Sequence, residues 1–214
     1  MHAEAAQSLV GKLNFAVRVV RPGRAYLRRL IARITELSAT SGSARWSQHA
    51  VTPSMRLDIR WWRQFMAQWN GVGLLYQREW TDAPSIELHT DASGWGYGAV
   101  HGRCWYRGQW TPEQRSLAMR AECESMPFLE LHALVQAAAT WGRAWRGQKI
   151  TFHCDCASMV SACASMSSPE PSVQALLRHL STVAALHGFD FRVRHIAGVT
   201  NVVADLWSRP DFSV

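Results

Sequence analysis

The sequence predicts an α/β protein: a mixed five-stranded sheet flanked by helices, preceded by a small helical module. Three observations predict it. Before residue 85, apolar residues recur at the three-and-four spacing of amphipathic helices. After it, short period-2 runs joined by glycines give way to alternating helical and extended segments. The charge divides at the same place. Residues 1–84 carry 12 Lys+Arg against 5 Asp+Glu (12 − 5 = +7), whereas residues 85–214 carry 11 against 11. Two domains are therefore expected, 1–84 and 85–214.

In the first domain, Ala3 to Val17 reads as a helix with Leu9, Val10, Leu13 and Val17 on one side. The Pro-Gly pair in Arg21-Pro22-Gly23-Arg24 marks a turn. Residues 25–37 form a second helix, with Leu27, Leu30, Ile31, Ile34 and Leu37 as its stripe and Arg28, Arg29 and Arg33 outside it. Ser38 to Ala44 is a small polar loop. Thr52 caps a third helix that opens on Pro53, carries Leu57, Trp61, Trp62, Phe65 and Trp69 on its apolar side, and stops at Asn70-Gly71. The tryptophans read as core. The basic excess is almost all arginine, whose planar fork matches phosphate and stacks on bases, so nucleic acid is the expected partner. Arg24 and Arg28 are the expected contacts.

In the second domain, Ile86 to Asp91 alternates as a strand, and Trp95–His101 and Arg103–Trp110 follow through tight turns as an antiparallel meander. Residues 123–142 form a helix, Lys149–Cys154 a fourth strand, Ala157–Ala164 and Pro171–His187 two helices, Asp190–Ile196 a fifth strand and Asn201–Ser208 a last short helix. The glycines of Gly94-Trp95-Gly96-Tyr97-Gly98 are not a dinucleotide fingerprint, because a strand continues where that motif needs a helix.

Several classes are excluded or disfavoured. The five cysteines show no CxxC spacing, which argues against a zinc site or a disulfide framework; Cys154 and Cys156 read as small residues on one sheet face. No apolar run reaches the ~18 residues of a membrane span. The first residues lack the layout of a signal peptide. The expectation is a soluble, intracellular chain without a membrane partner, cut from something longer.

Four acids stand out. Asp91 ends the first strand and Asp155 ends the fourth. If those strands are parallel neighbours, both carboxylates reach the sheet edge at which α/β proteins bind ligands. Glu130 lies on a helical stripe with Leu134, Ala137 and Trp141, with no cation within a turn of it, and a buried acid there needs a partner. Asp205 shares a face with Asn201 on the last helix. An all-oxygen set of this kind suits a hard cation, and two such ions ~4 Å apart activate water and stabilise a leaving oxygen. His195, near the same edge, can move protons.

These segments resemble the ribonuclease H domain of retroelement reverse transcriptases. The matching text is HTDASGWGYGAV, FLELHALVQAA, FHCDCASMVSA and HIAGVTNVVADLWSRP, the last being the most specific. LVGKLNFAVRVVRPGRAYLRRLI is similar to the thumb or connection segment of gypsy-like and DIRS-like elements. The resemblance implies the ribonuclease H fold and hydrolysis of the RNA strand of RNA–DNA hybrids with two Mg²⁺ ions, or Mn²⁺. It makes Asp91, Glu130, Asp155 and Asp205 the ligands and gives His195 a part in proton transfer or product release. Ser93, Gly94 and Asn201 would lie near the hybrid. It departs from the pattern at Cys156, where such elements often carry Asn. The polymerase palm and fingers of the same polyprotein are a further expected partner, and a catalytically silent nucleic-acid-binding remnant is the alternative.

Overall fold

The computed structural model describes residues 3–39, 50–68, 79–81, 88–120 and 125–210. Outside them lie Trp69, the Asn70-Gly71 stop, most of the loop through Ala44, Ile86 and Glu87 of the first strand, and Cys123. The chain forms two compact units, Met1–Leu74 and Leu75–Val214.

Among the described residues the first unit holds three α-helices, α1 (Ala3–Ala16), α2 (Arg28–Ala39) and α3 (Pro53–Gln68). The expected Pro-Gly turn is a 3₁₀ segment, Arg21–Tyr26, so the second α-helix starts later than residue 25. Gly23 is required there. A Cβ on it would lie 2.2 Å from the Trp62 ring. Tyr26, Trp61 and Phe65 stack in series, with ring centroids 4.1 and 5.1 Å apart. Thr52 Oγ1 accepts from Met55 N at 3.2 Å, the expected cap. Leu57 is exposed rather than packed. The buried positions of α3 are Met55, Asp58 and Trp62, and Asp58 takes its place in that stripe because Arg29 pairs with it at 3.2 Å.

In the second unit, β1 (Leu88–Ala92), β2 (Gly96–His101), β3 (Cys104–Gln109), β4 (Lys149–Cys154) and β5 (Asp190–His195) form one sheet in the order β3-β2-β1-β4-β5. The β1–β2 and β2–β3 pairs are antiparallel, and β1–β4 and β4–β5 are parallel. Ahead of β1, Thr81 bridges to Ile150, and its N–H donates to Lys149 O at 2.8 Å. The sheet unit thus takes in Thr81, whose backbone pairs with β4.

Helices α4 (Pro112–Arg120), α5 (Ser125–Trp141), α6 (Ala157–Ser165), α7 (Pro171–His187) and α8 (Val202–Ser208) complete the unit. Helix α4 is an addition to the sequence reading. Its start is a capping box: Gln114 N donates to Thr111 Oγ1 at 3.2 Å, and Thr111 N donates to Gln114 Oε1 at 2.9 Å. Successive residues of β2 point to opposite faces. Tyr97 meets His132 of α5, whereas Gly98 lies beneath Trp207 of α8. Helices therefore cover both faces. The core of Leu131, Leu134, Ile150, Phe152, Leu177 and Phe189 sits between the sheet and the α5–α7 layer. This is the mixed five-stranded sheet flanked by helices that the sequence predicts.

Candidate active site

Parallel pairing brings two of the acids to one edge. His89 pairs with His153, and Asp91 and Asp155 each stand two residues further along their strands (91 − 89 = 2; 155 − 153 = 2). Helix α5 lies under this edge and sends Glu130 to it. One oxygen of Glu130 accepts from Ala92 N at 3.3 Å and the other from the Cys154 thiol at 3.5 Å. Ligand atoms of Glu130, Cys154 and Asp155 all lie within 4.8 Å of one another. Helix α8 closes the edge from the other face. It carries Asp205 and delivers two donors to Asp91: Asn201 Nδ2 to Oδ1 at 3.2 Å, and Ser208 Oγ to Oδ2 at 2.7 Å.

The electrostatics follow from burial and like charge. Glu130 is 1% exposed and Asp91 5%. Burial pushes Glu130 up to about 9, with the charges of Asp91 and Asp155 adding to it. Burial also raises Asp91 to about 6; the Ser208 hydrogen bond opposes this, and Asp155 and Asp205 add to it. Arg209 is the one cation hydrogen-bonded to any of the four acids among the described residues, through Nε and Nη2 on Asp205 Oδ1 at 2.9 and 2.6 Å. Asn201 Oδ1 is buried without a hydrogen-bond partner. Clustered oxygen donors, an excess of negative charge and an orphaned acceptor in the wall together fit a hard divalent cation.

The remaining expected residues sit as follows. His195 is exposed, and its Nε2 lies 3.1 Å from the Asp155 carbonyl oxygen, so this nitrogen carries the proton in that contact. The loop after it runs close over Asp155: a Cβ on Gly198 would lie 3.0 Å from Oδ2. Ser93 is turned inward. Its hydroxyl donates to Ser208 O at 2.6 Å and accepts from Trp95 N and Gly96 N, so it closes the β1–β2 turn onto α8. Gly94 is exposed at that turn. Asn201 is 1% exposed, with its amide hydrogens on Asp91 Oδ1 and Thr90 O, so its side chain is not presented to a hybrid. Arg24 is exposed and Arg28 half-buried, both in the other unit. The sequence reading takes Cys154 only as a small residue on one sheet face and does not single out Ser208. Strand alternation from Phe152 could have put Cys154 on the α5 side, and Ser208 repeats the Asn201 face after two helical turns.

No family model matches the chain, and no curated protein does. Solved structures do. The N-terminal RNase H domain of a Mycobacterium tuberculosis protein, solved as a fusion with maltose binding protein, aligns at 14% identity and a TM-score of 0.42, over 57% of this chain and 87% of that one. RNase H1 from the halophilic archaeon Halobacterium salinarum aligns at 15% and 0.38, over 56% and 92%. The prototype foamy virus protease-reverse transcriptase aligns at 17% and 0.31; 88% of this chain is covered, but only 24% of that one.

Proposed function

We propose that this chain hydrolyses the RNA strand of RNA–DNA hybrids with divalent cations, as part of a retroelement reverse transcriptase polyprotein. The observation that supports the reading is a set of like charges that act on one another, Asp155 and Asp205 on Asp91 and both Asp91 and Asp155 on Glu130, with Arg209 as the one hydrogen-bonded counter-charge of these acids among the described residues. These four would hold Mg²⁺, or Mn²⁺ in its place, as a pair of ions. Bound there, such ions supply a Lewis acid for the phosphate and an activated water.

The protein's own groups do the rest. Asp91 is held in place from both of its oxygens. Glu130 stays out of water beneath the edge, and Asp155 opens toward solvent. His195 keeps one proton at Nε2 on the Asp155 carbonyl, so Nδ1 is its nitrogen for exchange with a departing product. The arginines of residues 1–84, Arg24 and Arg28 among them, would meet the phosphates, and helix shape and 2′-hydroxyls would select the hybrid. The palm and fingers of the same polyprotein are the proposed companions, in an intracellular setting. Among the described residues no helix is long and apolar enough to cross a membrane.

The test is a labelled hybrid incubated with the protein across a Mg²⁺ titration. Cleavage of hybrid but not of single-stranded RNA is expected, with Asp155→Asn slower by about a hundredfold or more. Equal behaviour of wild type and Asp155→Asn would sink the reading. The Arg209 fork on Asp205 favours the second reading, a silent remnant that binds hybrid without cutting it.

A further inference from the structure

The geometry points to Ser208 as a positioning residue: with the Asn201 amide, its hydroxyl clamps Asp91 from α8, so the helix that carries Asp205 also aims the carboxylate of β1. This rests on the proposed metal-dependent hydrolysis.

Ser208 is 0% exposed and 117 positions from Asp91 in the chain, yet its Oγ lies 2.7 Å from Asp91 Oδ2. A short hydroxyl-to-carboxylate bond of this kind is charge-assisted. The same Oγ also lies 2.9 Å from Asp205 O, three residues back in its own helix. That local bond is what a buried helical serine makes anywhere. It does not account for the longer-range contact, which needs α8 pressed onto the sheet.

Three features press it there. Gly98 has no Cβ, and one would lie 2.5 Å from Trp207 Cβ and 3.2 Å from Ser208 N. Ser93 Oγ donates to the Ser208 carbonyl at 2.6 Å and holds the backbone at that point. Asn201 grips the other oxygen of Asp91 and the neighbouring Thr90 carbonyl, each at 3.2 Å. Positions 201, 205 and 208 share one helix face, so the two donors flank Asp205 along that face. The distance between two acids on different elements is then set by one short helix. Partners of this kind, one step removed from a metal, typically change affinity or rate by about 10–100-fold when lost.

The experiment compares wild type with Ser208→Ala and Ser208→Cys. The cysteine variant nearly preserves shape while offering only a weak donor, and so keeps the test open should the alanine variant not fold. Three quantities are measured: Mn²⁺ binding by electron paramagnetic resonance, kcat and KM on a hybrid, and Tm without metal. Expected is a weakening of Mn²⁺ binding by about tenfold or more, a comparable fall in kcat and an unchanged KM for hybrid. Folded variants with wild-type Mn²⁺ affinity and kcat would overturn the clamp alone. A wild type that binds no Mn²⁺ would overturn the metal-dependent reading and the clamp with it.

Discussion

Asp58 of the helical unit and Glu130 of the sheet unit are both buried almost completely, and the two are handled in opposite ways. Asp58 of the helical unit is 0% exposed and receives Arg29 Nη1 at 3.2 Å; that nitrogen also donates to Ser54 O at 3.1 Å. Glu130 of the sheet unit is 1% exposed and receives a backbone N–H and a thiol, while the acids around it, Asp91 and Asp155, repel it. Burial alone therefore says nothing about function. The sign of what surrounds the buried acid separates a structural ion pair from a candidate cation site.

The largest effect that would sharpen the contrast is on cleavage. Glu130→Gln should lower hybrid hydrolysis by about a hundredfold or more, yet raise the Tm of the metal-free protein at neutral pH, because glutamine is neutral in the unfolded chain as well and escapes the cost of taking up a proton on burial. Asp58→Ala should do the reverse to stability, costing about 2 kcal/mol by stripping Arg29 of its carboxylate partner and leaving it only the Ser54 carbonyl. Thermal melts of the two variants without metal check both. A Glu130→Gln protein that melts below wild type would break the comparison.

Next comes pH. Asp91 sits at about 6 against its ordinary 3.8, and Glu130 at about 9 against 4.5. The folded state therefore holds protons that the unfolded chain has already released. The sign is that of raised acids: their contribution to stability is fully present below about pH 4 and is lost as pH rises, through about 6 for Asp91 and toward 9 for Glu130. Metal-free protein should lose Tm from pH 5 to pH 9. Glu130→Gln should flatten the upper part of that fall, and Mg²⁺ should restore more Tm at pH 8 than at pH 5.5. Equal Mg²⁺ stabilisation at both values would count against a cation at these acids.

What the sequence could and could not reveal follows the reach of each interaction. The strands were legible from period-2 runs, and the ends of β1 and β4 mark where Asp91 and Asp155 stand, because both facts are local. Helix α4 was not seen, although Thr111 to Gln114 spells out a capping box, since the nine residues of Pro112–Arg120 are too polar to show a stripe. Leu57 fits the apolar spacing of α3 better than Asp58 does. Only the pairing with Arg29, which lies on another helix, reverses them. Ser208, and the contact of Asn201 with Asp91, are hidden for the same reason. Their partner Asp91 is more than 100 positions away, and a serine or an asparagine leaves no mark in charge or hydropathy.

The smallest predicted effect concerns Arg209, the cation that makes Asp205 resemble Asp58 more than Glu130. Its two nitrogens hold Asp205 Oδ1 at 2.9 and 2.6 Å, but the pair lies at the surface, with the arginine side chain 61% exposed. Water and salt screen such a pair, so Arg209→Ala should change stability by no more than about 0.5 kcal/mol. Its electrostatic consequence runs the other way from its stability cost. Arg209 lies close enough to oppose the charges that raise Asp91, and its removal leaves the edge more negative and Asp205 without a competitor for a cation. Arg209→Ala should therefore bind Mn²⁺ more tightly, by a few-fold at low salt and by less at high salt. Titration calorimetry at two ionic strengths measures this. An unchanged or weaker Mn²⁺ affinity would mean that Arg209 holds Asp205 in place for the site, and the division between paired and unpaired acids would then run through the site itself.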